Sequence, residues 1–265
     1  MIRLGLRVRA QDAELARAQP ILAAGCEEIA LDDHVEFVVY GDDLPEPPSF
    51  PGLVSVSRTP VEPGWETAWH AHLEPVTVGA VTIRPPWLAG EGLVVDPGNT
   101  FGLASHPTTQ LCLELLHEQR RTPLVDWGCG CGVLARAASF LGYAPVTAIE
   151  LDPAAVATAR ANGVDARVGD VTADPPWART IVANLTAPLL EAAARAVAGT
   201  APPSRVADSA ASHGAATRGP ATLIASGMLA EHATAIARAW GPAGFVERTR
   251  RERDGWAALV LERVP

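Results

Sequence analysis

Val125-Asp126-Trp127-Gly128-Cys129-Gly130-Cys131-Gly132 decides the reading of this chain, because three alternate glycines stand between a short apolar run and a helical pattern. Leu124 to Asp126 reads as a strand and Val133 to Leu141 as a helix. Alternate glycines permit a tight turn and let a ligand approach the backbone. The helix that follows offers N–H groups and the positive end of its dipole. The next strand, Val146 to Leu151, carries Glu150, and 150 − 128 = 22 residues is close to the roughly 20 at which an acid meets ribose hydroxyls. Strand, loop, helix, strand and acid together read as a nucleotide-type cofactor site formed by Gly128, Gly130, Gly132 and Glu150. The bland alternative is a tight turn without a ligand.

Towards the C-terminus the strand-then-helix pattern repeats. A helix to Ala161 follows Glu150, and a strand from Thr180 to Leu185 precedes a helix to Ala198. Such βα repeats demand a parallel sheet with helices on both faces, so the fold class is α/β and doubly wound. Asp170 lies just past the third strand, where it could accept from the exocyclic amine of an adenine or merely cap a helix. Asn184 ends the fourth strand, at the edge where polar residues face the ligand crevice. Its amide oxygen could hold an amine nucleophile by its protons, or it could be a helix N-cap. Residues 200–220, rich in Ala, Ser, Pro and Gly, read as a surface loop. Beyond them a strand at Leu223 to Ala225, a helix over Leu229 to Trp240 and two closing strands are expected.

Towards the N-terminus, Asp96-Pro-Gly-Asn-Thr-Phe-Gly-Leu-Ala-Ser-His106-Pro-Thr-Thr109 precedes a helix over Gln110 to Glu118. This polar, glycine-containing segment suits a loop folded over a ligand, and its His106 is a candidate base with a structural role as the alternative. Prolines cluster between Pro45 and Pro86, with a Trp-rich helix expected at 63–70; Trp65, Trp69 and Trp87 are read as packing residues. The first segment alternates as a strand, and Leu15, Ala18, Ile21 and Leu22 share a helix face after Asp12. A hairpin turning at Asp32-Asp33 and a strand near Leu53 follow. The domain reading is thus a small α+β unit at 1–60, a connector at 61–88, and the doubly wound domain at 89–265.

Composition excludes several classes. Of 265 residues, 21 are Lys or Arg and 30 are Asp or Glu, a net charge of −9 that disfavours phosphate-rich partners. No run approaches the roughly 18 apolar residues of a membrane span, and the start lacks a signal-peptide core. Cys26, Cys112, Cys129 and Cys131 lack the paired spacing of a zinc site and read as reduced cytoplasmic thiols. No metal, membrane or direct nucleic-acid partner is expected.

DPGNTFGLASHPTTQLCLELL, DWGCGCGVLARAA, AIELDPAAV and VANLTAPLL occur in this order, and together they resemble the methyltransferases of large-subunit ribosomal protein eleven. These are class I, Rossmann-like enzymes dependent on S-adenosylmethionine. The resemblance runs over most of residues 62–265 and includes ASGML. It implies cofactor contacts at Thr109, Gly128, Glu150 and Asn184, transfer of methyl groups to amines, and the ribosomal protein as partner. It also implies a ferredoxin-like first domain that recognises that protein. Three departures stand out: Gly102-Leu103-Ala104-Ser105-His106 replaces Gly-Thr-Gly-Thr-His, Glu150 replaces Asp, and the helix ending at Asn162-Gly163 is short. Another protein or small amine as acceptor, and a degenerate fold used only for binding, stay open at this point.

Overall fold

The computed structural model describes residues 2–17, 19–23, 26–47, 49–61, 74–98, 104–199 and 222–264. The expected helix at 63–70 with Trp65 and Trp69, Gly102 and Leu103, and the loop at 200–220 lie outside the described residues. The chain divides into two compact units, Met1–His72 and Leu73–Pro265.

In the first unit, β1 (Ile2–Arg9) buries Leu4, Leu6 and Val8. A 3-10 turn leads into α1 (Ala13–Arg17) and α2 (Pro20–Ala23). The sequence reads one helix here; Pro20 makes it two, because proline donates no N–H inside a helix yet is welcome at the first position of a new one. Leu15, expected inward, is 49% exposed, and Ala13, Ala16 and Leu22 take the buried places. The hairpin of β2 (Glu27–Ala30) and β3 (His34–Gly41) turns at Asp32-Asp33, and β4 (Leu53–Pro60) pairs with β1, giving the order β2-β3-β1-β4. Between β3 and β4 the described residues form bends and extended chain rather than a second helix.

The second unit begins with β5 (Val76–Val78), β6 (Val81–Arg84) and β7 (Leu93–Val94), a three-stranded sheet. Residues 76–84, read from sequence as connector, are therefore a hairpin of this unit; runs of three and four residues are too short to show a period. Trp87 is 37% exposed rather than packed inside. Next come α3 (Pro107–Glu118), β8 (Leu124–Trp127), α4 (Val133–Phe140), β9 (Val146–Glu150), α5 (Pro153–Ala161) and β10 (Asp165–Val168). They are followed by β11 (Thr180–Asn184), α6 (Ala187–Gly199), β12 (Thr222–Leu229), α7 (Ala233–Ala239), β13 (Phe245–Arg253) and β14 (Trp256–Arg263). The helix expected from Leu229 starts later, because β12 continues through a bulge after Ser226 to pair with β14.

The seven strands lie in the order β10-β9-β8-β11-β12-β14-β13; β8 to β12 run parallel and β14 antiparallel to its neighbours. Strand alternation sorts the core. Val125, Trp127, Ile181 and Ala183 face a cluster with α6 and α7, whereas Leu124 and Val182 face one with α3 and α4. Trp127 is fully buried and its indole N–H donates to the Pro176 carbonyl at 3.0 Å, the partner a buried tryptophan needs. The doubly wound reading holds, and it fixes where a ligand crevice must open.

Candidate active site

The chain leaves β8 towards β9 and β10 on one side and returns to β11 and β12 on the other. Helices part at such a switch point, and the crevice lies beyond the carboxyl ends of the strands. Gly128 follows β8 and Asn184 ends β11, the neighbouring strand. Gly128 and Gly132 hold φ of +68° and +83°, which side chains other than glycine rarely adopt. Gly128 also meets Leu185: a Cβ there would lie 2.3 Å from Leu185 Cδ2.

The loop spends its own N–H groups. Gly128 and Cys129 donate to the Ile149 carbonyl at 2.8 and 3.2 Å, Gly132 donates to Cys129, and Gly130 donates to Glu150 Oε2 at 3.1 Å. Glu150 Oε1 accepts from the N–H groups of Leu151 and Asp152 at 2.7 and 3.1 Å. At the helix start the Ala135 N–H is likewise taken, by Asp126 Oδ2 at 3.0 Å. Glu150 sews the glycine loop to the turn before α5.

Asp126, quoted in the loop but given no role by sequence reasoning, is 1% exposed. The alternation of β8 carried the signal, since Asp126 points to the same face as Leu124. Burial pushes its carboxyl up to about 7, the Ala135 N–H pulls the other way, and the Glu150 charge adds a smaller upward push. Burial, with Asp126 next, raises the Cys112 and Cys129 thiols in turn. Because the folded carboxyl holds its proton above the unfolded pKa, Asp126 contributes stability that is fully present below about pH 4 and lost as pH rises through about 7. Asp126→Asn should therefore be more stable than the parent at pH 8 and should flatten the stability slope between pH 4 and 7. Chemical denaturation at a series of pH values checks this; an unchanged slope contradicts it.

Asn184 Nδ2 donates to Thr109 Oγ1 at 3.3 Å, so the structure brings these two sequence-chosen residues together. Thr109 is fully buried on α3. His106 is the N-cap of α3: its Nδ1 accepts from the Thr108 N–H at 3.3 Å and lies 2.8 Å from the Thr108 hydroxyl. Burial lowers its pKa, and its ring packs edge-to-face with that of Trp256, the centroids 4.9 Å apart. Asp170 Oδ1 accepts from the N–H and hydroxyl of Thr172 at 2.7 and 2.6 Å, and both bonds lower its pKa. Asp170 Oδ1 thus closes a local turn.

Gly227 was missed as a site residue, although a lone glycine inside a strand pattern marks a bulge or a close approach. It holds φ of +89°, and a Cβ on it would lie 2.4 Å from the Leu185 carbonyl oxygen and 2.8 Å from its nitrogen. Leu185 N–H donates to the Ser226 carbonyl at 2.9 Å. The backbone after Asn184 is thereby seated directly on the β12 bulge.

The family model described as ribosomal protein L11 methyltransferase (PrmA) matches residues 51–264. The chain is 34% identical over 216 residues to a protein of Methylococcus capsulatus called ribosomal protein L11 methyltransferase, covering 74% of this chain and 67% of that one. It is 35% identical over 230 residues to one of the same name from Pelotomaculum thermopropionicum, covering 79% and 70%. The chain thus spans about two-thirds of the length of these relatives. In fold it is similar to a solved ribosomal protein L11 methylase from Lactobacillus delbrueckii subsp. bulgaricus, with a TM-score of 0.55 and 21% identity over 70% of this chain and 94% of that one.

Proposed function

The chain belongs to the ribosomal protein L11 methyltransferase family, and on that premise we propose that it transfers methyl groups from S-adenosylmethionine to amino groups of ribosomal protein L11. The acceptors are the N-terminal α-amine, lysines, or both. The observation that carries this reading is the pairing, at one switch point, of a glycine loop after β8 with an amide-bearing strand end at β11. The residues fit the cofactor: a loop whose N–H groups are used internally is no handicap for a sulfonium ligand that has no phosphate. Gly128, Gly130 and Gly132 give backbone approach, Glu150 is the acceptor for ribose hydroxyls, and Thr109 and Asn184 form the wall beside them. Asp170 remains the acceptor assigned to the adenine amine.

When bound, S-adenosylmethionine supplies an electrophilic methyl group on a sulfonium. The residues of this chain orient the amine and keep water away from it. Asn184 holds the amine by its amide oxygen, aligning the nitrogen lone pair. An α-amine with pKa near 7.8 is roughly one-seventh neutral at pH 7, whereas deprotonating a lysine near 10.4 costs about 4.6 kcal/mol. Lysine transfer therefore leans on desolvation. His106 Nδ1 already serves as the cap acceptor for Thr108, so the amine proton leaves to water or through the other ring nitrogen of His106. The first unit is assigned to recognising the ribosomal protein. A ribosomal substrate fits a cytoplasmic enzyme, and among the described residues no helix is long and apolar enough to cross a membrane.

Calorimetry with S-adenosylmethionine, paired with thermal unfolding, tests the cofactor assignment. Binding heat is expected, with about 2.7 kcal/mol of stabilisation when the ligand is at 100 times its Kd. Neither heat nor stabilisation would mean a fold that has lost its cofactor.

A further inference from the structure

Asn162 follows α5, where sequence reading saw only a helix end, and its side chain joins two segments of the proposed site. Its Oδ1 accepts from the Asp96 N–H at 2.9 Å, and its Nδ2 donates to the Asp96 carbonyl at 2.7 Å and to the Cys131 carbonyl at 2.9 Å. The amide thus brackets the backbone of Asp96 through both its donor and its acceptor, and reaches the glycine loop with the same nitrogen.

The bracketed turn is held from other directions too. Asp96 Oδ1 accepts from the Gly98 N–H at 2.9 Å, which closes the Asp-Pro-Gly turn. Fully buried Val95 donates its N–H to the Arg84 carbonyl at 3.0 Å, tying the turn to β6. Gly98, at φ +54°, sits where a Cβ would come within 3.0 Å of Thr158. Thr158 is one helical turn before Asn162, on the same face of α5.

We propose that Asn162 is a positioning residue for the cofactor. It fixes the Asp96-Pro97-Gly98 turn against the glycine loop, so that these two walls of the site stand at a set spacing. The proposal rests on the cofactor reading above. Few side chains can replace this amide. Aspartate keeps one acceptor but turns an oxygen towards two carbonyls, alanine loses all three bonds, and glutamine carries the same groups one methylene too far.

The test compares S-adenosylmethionine affinity by calorimetry in the parent protein, Asn162→Ala and Asn162→Asp, with thermal unfolding alongside. Asn162→Ala should raise Kd about tenfold, equal to about 1.4 kcal/mol, and Asn162→Asp should raise it further. KM for the cofactor should move more than kcat, since Thr109 and Asn184 are untouched. A folded Asn162→Ala with the parent's Kd overturns the proposal, even if its melting temperature falls. Should the variants not fold, Gly98→Ala decides, because it disturbs the same turn while leaving Asn162 in place: weaker binding supports the bracket, and unchanged affinity overturns it. A parent protein that binds no cofactor instead sinks the underlying reading, and the proposal with it.

Discussion

Gly227→Ala is expected to lower turnover by roughly tenfold to a hundredfold. The added methyl would meet three backbone atoms of Leu185, its oxygen, carbon and nitrogen, at 2.4, 2.7 and 2.8 Å. A flexible side chain could swing aside, but the Leu185 backbone, whose N–H is bonded to the Ser226 carbonyl, must move as a body. Ordinary contact requires a shift of about 1 Å, and a misplacement of that size near a reacting centre costs on the order of a hundredfold. Asn184 precedes the displaced peptide directly, so the loss should fall on kcat. Left-handed backbone also costs alanine about 1–2 kcal/mol wherever it occurs, and that strain must be separated from the collision. Gly142 provides the control: it holds φ of +92°, and a Cβ added there would meet nothing within 4 Å. Gly142→Ala should lose stability and keep turnover, whereas Gly227→Ala should lose both. Equal turnover in the two variants contradicts the role given to the β12 bulge.

Asn184→Ala should reduce turnover by tenfold or more, with a smaller change in cofactor KM. The amide is tied to Thr109 at 3.3 Å on one side, which leaves its oxygen the assigned task of orienting the amine. Losing a group that acts mainly in the transition state appears in kcat rather than in binding. Asn184→Asp separates orientation from charge. A carboxylate beside the substrate nitrogen favours the ammonium form, so the rising limb of the pH–rate profile should move to higher pH. Steady-state kinetics across pH reads both effects; parental turnover in Asn184→Ala would remove Asn184 from the account.

The doubly wound domain was legible because its signals are local. Strand alternation, helical periodicity and three glycines in five residues lie within short windows, and β8, α4 and β9 fall where those windows put them. The first unit was legible in its strands: β1, the hairpin and β4 lie where the sequence puts them. Pro20 was visible as well, yet the apolar pattern across Leu15 to Leu22 outweighed it in the reading. What stayed hidden depends on partners distant in sequence. Gly227 matters because of Leu185, Asn162 because of Asp96, and the state of Asp126 because α3 and α4 close over it. The glycine loop shows the same limit: the fold gives the N–H groups of Gly128, Cys129 and Gly130 to Ile149 and Glu150. Periodicity finds elements; it cannot say which backbone groups the neighbouring strand will claim.

The most direct test mixes the purified protein with S-adenosylmethionine and unmodified ribosomal protein L11 and follows the intact mass of the ribosomal protein. A stepwise gain of methyl groups that requires both protein and cofactor is expected. No gain, beside clear cofactor binding, would contradict it and mean that this fold serves a different acceptor.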